Sequence, residues 1–440
     1  MTDPEPRVLP EGALGRTVRM LRLPLGAATR ATVSTGRKLL GADAAQVDQY
    51  MSRAAADQLF AVLGELKGGA MKVGQILSTM EAMLPEEVAA PFRDRLQALQ
   101  DSAPPMPTSR VHAVLRAELG PGWRSSFSEF EARPAAAASI GQVHRARWAT
   151  SGRPVAVKVQ YPGADAALRS DLRQLERLAA AASPLTGGID VRSMVREMTS
   201  RIGQEVDYVQ EGAAQNQMAE ALAGHPRFTV PRVHLATARV LVSDWVDGTK
   251  LAAMAARPPA ERNRAALDYV SFLFAGPGLA GILHADPHPG NFLVTPDGRL
   301  AAIDFGLTAD FPGGLPTPMG ELIRRAVDGD AEAMLAGLVE EGFAQPGTLD
   351  AQALLDYLNP FVEPARVEEF SFSREWTREQ FRRVQSSLSP DDIALKLNIP
   401  PSYVMVYRVW LGGIAVLAQL DVTENFAAVL RQYLPGFARS

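Results

Sequence analysis

His284-Ala285-Asp286-Pro287-His288-Pro289-Gly290-Asn291, followed by Asp304-Phe305-Gly306, is the stretch that decides the fold of this 440-residue chain. It sets a carboxylate (Asp286), an amide (Asn291) and a second carboxylate (Asp304) on a short loop and the hairpin after it. The apolar runs Phe292-Leu293-Val294 and Leu300-Ala301-Ala302-Ile303 read as two strands joined by the turn Pro296-Asp297-Gly298. Such a hairpin holds Asn291 at one end and Asp304 at the other, close in space. An amide and a carboxylate so placed suit Mg2+, a hard cation that takes oxygen ligands and shares them with substrate phosphates.

Around this stretch the composition is that of a globular protein, with 47% hydrophobic and 21% charged residues. The length allows two or three domains. A net charge of -4 gives no pointer to nucleic acid, and none is expected as a partner. The absence of cysteine excludes disulfides, thiolate metal sites and cysteine nucleophiles. Six histidines without paired ligand spacing argue against zinc. The N-terminus carries Asp3 and Glu5 and no apolar segment, so no secretory signal is expected. The best membrane-span candidate, 404–420, is interrupted by Arg408, so no transmembrane helix is expected. Residues 12–42 have no acidic side chain but carry Arg16, Arg19, Arg22, Arg30, Arg37 and Lys38 among Val18, Met20, Leu21, Leu23 and Leu25. That pattern fits a basic amphipathic helix on an anionic membrane surface, a solvated arm, or a transit peptide, against which the early acidic residues count. The expected location is cytoplasmic, peripheral on the inner face of the membrane if the arm binds there.

Helical patterns run over 45–63, 68–80, 86–99 and 109–119, punctuated by Pro85 and by Pro104-Pro105-Met106-Pro107. From Trp123 the character changes, with strands expected over 127–130, 143–148 and 154–160, helices over 164–182 and 191–223, and strands over 232–236 and 239–244. Beyond Lys250 the chain reads as mostly helical. A small sheet-plus-helix lobe, a hinge near 243–247 and a larger helical lobe form the layout of a protein kinase. The expected fold class is therefore α+β and kinase-like, with a basic arm (1–43), a helical extension (44–122), an N-lobe (123–246) and a C-lobe with C-terminal helices (247–440).

Within that layout, Val155-Ala156-Val157-Lys158-Val159 is an alternating strand that projects a lysine from its middle, where a kinase reaches the α- and β-phosphates. Arg133-Pro134-Ala135-Ala136-Ala137-Ala138-Ser139-Ile140-Gly141-Gln142 falls where a kinase has its glycine-rich loop. Alanine is restricted to negative φ, so a stiffer loop is expected. Glu205, Asp207 and Glu211 share one predicted helix, which suits either a metal-facing role or the commoner solvated acidic face. In Lys67-Gly68-Gly69-Ala70-Met71-Lys72-Val73-Gly74-Gln75, glycines inside a helical pattern cost about 1 kcal/mol each relative to alanine, which suggests close backbone packing.

Together these residues resemble the UbiB/AarF family of atypical kinases, linked to coenzyme Q biosynthesis. Lys72-Val73-Gly74-Gln75 matches its Lys-x-Gly-Gln hallmark, 135–142 its Ala-rich loop, Lys158 its nucleotide lysine, and Glu205-Val206-Asp207 its Glu-x-Asp motif. Glu211 matches the helix glutamate that pairs the lysine, and 284–291 with 304–306 match its catalytic and metal-binding loops. The resemblance implies a helical extension packed over the active site, with Lys72 and Gln75 on the lid and Lys72 meeting Glu205. It implies ATP or ADP bound by Ala135, Ala136, Ala137, Ala138, Ser139, Ile140, Gly141, Gln142, Val143, Ala156, Lys158 and the hinge Asp244, Trp245 and Val246. Mg2+ would sit on Asn291 and Asp304, and Asp286 would orient water or a hydroxyl.

A covered peptide groove favours ATP hydrolysis, or phosphorylation of a small or lipid-like molecule such as a quinone precursor, over protein phosphorylation. Two local features agree: Ala285 stands where many kinases carry an arginine, and 307–318 has no Ala-Pro-Glu motif. Asp244-Trp245 departs from the expected Glu before an aromatic. The alternatives are a nucleotide-gated lipid-binding or chaperone-like protein, a Ser/Thr protein kinase, and an aminoglycoside- or choline-kinase-like enzyme.

Overall fold

The computed structural model describes residues 106–138, 140–166, 207–386 and 393–438. The basic arm, the expected helices before residue 106 and most of the helical pattern over 167–206 lie outside these residues.

Strand alternation builds the smaller lobe. Strand β4 (Pro154–Gln160) turns Val155, Val157 and Val159 to one side, fully buried, and Ala156 and Lys158 to the other. The valines share a core with Phe127 of β1 (Phe127–Phe130), with Val240 and Val242 of β7 (Val240–Asp244), and with Trp123. Val111, Val114 and Leu115 of α1 (Thr108–Leu119), spaced as one helical face, complete it. Helix α1 is thus part of this lobe's core, although the sequence grouped it with the extension 44–122. With β3 (Gly141–Trp148) and β6 (Val233–Ala236) the strand order is β1-β3-β4-β7-β6, and the ranges of these five strands lie within two residues of those expected.

The Ala-rich loop is a correction. Ala136–Ala138 forms β2, antiparallel to β3 with Ala138 opposite Gly141, so most of the expected loop is strand. Extended backbone is open to alanine at no steric cost. A Cβ on Gly141 would lie 2.3 Å from the Val159 carbonyl oxygen, so only glycine lets β3 begin this close to β4.

Strand β3 also carries a buried polar pair. The Gln142 Oε1 accepts from the Met106 N–H at 2.7 Å, which turns its Nε2 to the His144 Nε2 at 2.9 Å. That histidine nitrogen must accept, leaving Nδ1 to donate to the Glu131 carbonyl at 2.8 Å. Burial holds the His144 pKa below its usual value, and protonation would set donor against donor. The unfolded chain therefore takes up the proton first. Stability is full above about pH 6.5 and falls as pH drops toward the folded-state pKa. His144→Phe, which retains a ring against Phe130, should flatten that loss in denaturant titrations at pH 7 and about 5.5. An unchanged slope would acquit His144.

The chain enters α2 (Tyr208–Ala221) at Asp207, whose carboxylate caps the helix by accepting from the Val209 and Gln210 N–H groups. The Asp207 backbone is extended (φ -102, ψ 92). The single helix expected over 191–223 is therefore broken there, and Asp207 does not lie on the helix that carries Glu211. An aspartate whose Oδ1 satisfies two N–H groups at a helix start is better used as a cap than inside a helix.

Beyond the hinge come β8 (Thr249–Lys250), α3 (Pro259–Ala280), β9 (Ile282–His284), the hairpin β10 (Phe292–Val294) and β11 (Leu300–Ala302), and β12 (Thr308–Asp310). The hairpin is the expected one, closed by the Gly298 N–H donating to the Thr295 carbonyl. It is flanked by β5 (Phe228–Thr229), parallel to β11, and by β8, antiparallel to β10. β9 pairs with β12, placing His284 opposite Thr308. The C-terminal part contains α4 (Thr317–Asp328), α5 (Ala331–Glu340), α6 (Ala351–Arg366), β13 (Phe370–Phe372), α7 (Arg374–Ser386), α8 (Ile393–Lys396), α9 (Val404–Leu420), β14 (Val422–Glu424) and α10 (Phe426–Tyr433).

Among the described residues, one helix, Pro401–Leu420, is long and apolar enough to cross a membrane by length and composition. Arg408 does not disqualify it, contrary to the expectation from sequence. Its apolarity has another use, since 67% of its apolar stretch is buried and Met405, Val406, Val409, Val416 and Leu417 pack into the C-lobe core.

Candidate active site

The alternation that buries Val157 and Val159 sends Lys158 to the opposite face of β4, where α2 brings Glu211 one turn past its Asp207 cap. The Lys158 Nζ lies 2.8 Å from the Glu211 Oε1 and 3.0 Å from the Asp304 Oδ2. Burial disfavours the ammonium, but the Asp304 and Glu211 carboxylates outweigh it and hold the Lys158 pKa well above its usual value. Burial lifts the Glu211 carboxyl, against the opposing pull of Lys158. Tyr208, buried at the start of α2, puts its ring 5.0 Å from the ammonium, and burial raises its hydroxyl pKa.

The two loops below are tied to each other. The His284 Nε2 donates to the Asp304 carbonyl at 2.7 Å, and its ring packs on Phe305 (5.1 Å) and Phe292 (5.0 Å). The Ile303 N–H donates to the Asn291 carbonyl at 2.9 Å, joining the hairpin ends as expected. The Asn291 Nδ2 donates to the Asp286 carbonyl (3.2 Å) and to its Oδ2 (3.0 Å). Both partners are acceptors, so the amide orientation is settled and Oδ1 is left as an oxygen donor. The Gly306 N–H donates to the Asp304 Oδ1 at 3.0 Å.

The donor set fits Mg2+: one amide oxygen and one carboxylate, both hard, on adjoining loops. Among the described residues no cluster of three or more His, Asp or Glu side chains is built to hold a metal alone. An ion that completes its shell with phosphates and water needs none.

Other expected site residues divide by placement. Val143 lies opposite Lys158 and Ala136 opposite Val143, so this row shares the lysine's face, with Ala156 on the next row of that face. Ala135, Ala136 and Ala137 are exposed, and Ala138 is half-buried. Ile140 packs its side chain with Tyr208, Val233 and Leu241, and the Gln142 side chain bonds Met106 and His144, which leaves their backbone to face a ligand. At the hinge, the Asp244 carboxylate accepts from the Arg232 N–H and the His234 Nε2. The Trp245 Nε1 donates to Asp247 while its ring lies under the Arg145 guanidinium. Their side chains are committed elsewhere, which leaves hinge contacts to the backbone and the half-buried Val246. Lys72, Gln75, Ser139 and Glu205 lie outside the described residues.

Three site neighbours went unassigned in the sequence: Tyr208, Tyr269 and Arg408. The Tyr269 hydroxyl donates to the Pro287 carbonyl at 2.6 Å, and burial, reinforced by Asp286, holds its pKa well above the usual value. Arg408 was legible only as a lone cation in an apolar helix.

Two lobes joined at a hinge, with a buried lysine–glutamate pair above an Asp–Asn loop and an Asp-Phe-Gly loop, define a protein-kinase-like fold. Residues 98–337 match the ABC1 atypical kinase-like domain, and the chain belongs to that family. It is 30% identical over 387 residues to Protein ACTIVITY OF BC1 COMPLEX KINASE 3, chloroplastic, of Arabidopsis thaliana, covering 84% of this chain and 51% of that one. It is 27% identical over 433 residues to atypical kinase coq-8, mitochondrial, of Caenorhabditis elegans, covering 93% and 55%. The chain thus spans about half the length of the curated relatives it matches. A solved structure titled as the complex of Rv3197 with erythromycin, from Mycobacterium tuberculosis, is 39% identical with a TM-score of 0.67, covering 90% of this chain and all of that one. The UbiB/AarF resemblance is borne out by these relatives.

Proposed function

We propose that this chain binds ATP or ADP with Mg2+ and hydrolyses ATP, or passes its γ-phosphoryl to a small or lipid-like acceptor in isoprenoid-quinone or other lipid metabolism. The observation that carries this is Lys158, bridged to Glu211 at 2.8 Å and to Asp304 at 3.0 Å beside the Asp286–Asn291 pair. Lys158, oriented by Glu211, takes the phosphates. Asn291 and Asp304 hold Mg2+, which when bound neutralises charge on the phosphate oxygens. Asp286 orients the attacking oxygen. The roles that the resemblance implies for Lys72, Gln75, Glu205 and the basic arm belong to residues outside those described. Catalysis on this plan is positioning plus electrostatics.

The test is Mg2+-dependent ATP turnover with and without anionic vesicles and quinone precursors, with Asp286→Asn as control. Turnover should rise with the lipid or acceptor and fall on the order of 100-fold in the variant. An Asp286→Asn protein that turns over ATP like the wild type would overturn the assignment. An alternative activity, nucleotide-gated binding of a bulky apolar ligand, is favoured by the relative solved with erythromycin. Tight, nucleotide-dependent ligand binding without turnover would select it.

A further inference from the structure

The loop that carries Asp286 is held from a helix more than a hundred residues downstream. The Arg408 Nε, on α9, donates to the Ala285 carbonyl at 3.0 Å, and its Nη2 lies 3.5 Å from the Asp286 Oδ1. Both side chains are largely buried, at 17% and 8% exposure, so solvent screens the pair only weakly. One turn along the same face, a Cβ on Gly412 would lie 2.3 Å from the Pro287 Cγ. Helix α9 therefore touches three consecutive residues of the loop, Ala285, Asp286 and Pro287. On the other side, Tyr269 fixes the Pro287 carbonyl and Asn291 fixes the Asp286 Oδ2. A planar guanidinium that meets a carbonyl and the adjacent carboxylate at once constrains both the backbone and the side-chain torsion of Asp286.

We propose that Arg408 is a positioning residue for phosphoryl transfer: from α9 it clamps the Ala285 carbonyl and the Asp286 carboxylate in the orientation from which Asp286 addresses the attacking oxygen. This rests on the role given to Asp286 above. Seating of α9 against Pro287 then sets turnover, and the helix lies beyond the matched family region 98–337.

The experiment compares Arg408→Ala, Arg408→Lys, Gly412→Ala and Asp286→Asn in steady-state Mg2+-ATP hydrolysis and in calorimetric titration of ATP with Mg2+. Arg408→Ala should lose kcat by about 100-fold, the scale of a displaced reacting group, with nucleotide Kd and KM held within about twofold. Arg408→Lys should fall between Arg408→Ala and wild type, since an ammonium reaches one acceptor but not both. Gly412→Ala, with Arg408 intact, should lower kcat by pushing the helix off Pro287, and it carries the test if Arg408→Ala does not fold. A merely structural arginine would lower kcat and nucleotide affinity together. Asp286→Asn inactive with all three α9 variants at wild-type kcat overturns the clamp alone. Asp286→Asn fully active overturns the clamp and the site assignment together.

Discussion

Lys158→Met is expected to lower the unfolding free energy by about 3–5 kcal/mol, because it leaves Glu211 buried without its cation. The Glu211 side chain is 1% exposed, so water cannot replace the ammonium 2.8 Å away. Burial already raises its carboxyl pKa, and without Lys158 the main opposing pull is gone. A folded-state pKa raised above the unfolded value leaves the variant least destabilised in acid. Its stability should then fall as pH rises through the folded pKa. Lys158→Met/Glu211→Gln removes both charges and should recover most of the loss, since deleting a buried pair costs far less than halving it. Denaturant titration of the two variants at pH 5 and about 7 decides this. Equal stability of single and double variants would mean that the pair is not coupled. Turnover is expected to vanish in both.

Asp304→Asn is the second large effect, and it separates metal from nucleotide. The wild-type carboxylate meets Lys158 through one oxygen and the Gly306 N–H through the other. An asparagine fits the space but brings a neutral amide to a site that prefers hard anionic oxygen. The gain in ATP affinity on adding Mg2+ should shrink by at least the 10–100-fold seen when a mere outer-shell partner is lost. ATP affinity without Mg2+ should change little. Calorimetry with and without the metal reads both numbers, and an undiminished Mg2+ effect would remove Asp304 from the metal site.

The parts of this site that could be read in the sequence are those whose chemistry is local in the chain. Val155–Val159 alternates, so the side of β4 that carries Lys158 was legible, as was the hairpin that brings Asn291 to Asp304. Asp207 was misplaced because a cap and a helix-interior acid look alike until the backbone turns. The alanines of β2 carry no alternation signal, and the three-residue strands β9, β12, β13 and β14 pair across long stretches of chain, without the tight turn that marks the equally short β10 and β11. Ile140 and Gln142 sit in a phosphate-loop position by sequence, yet their side chains answer to Tyr208 and Met106, contacts that depend on how distant segments pack. Arg408 reaches Asp286 across the chain for the same reason, and no spacing rule links them.

The bond between Met106 and Gln142 has one more effect. It pins the chain, at the point where it enters the smaller lobe, to the strand whose other face carries Val143 opposite Lys158. Whatever precedes residue 106 in the chain is thereby anchored on the strand whose opposite face carries Val143 and meets Lys158. Its encounter with that face is a matter of effective concentration, set by tether length and not by the amount of protein in solution. Loosening the staple lowers that effective concentration.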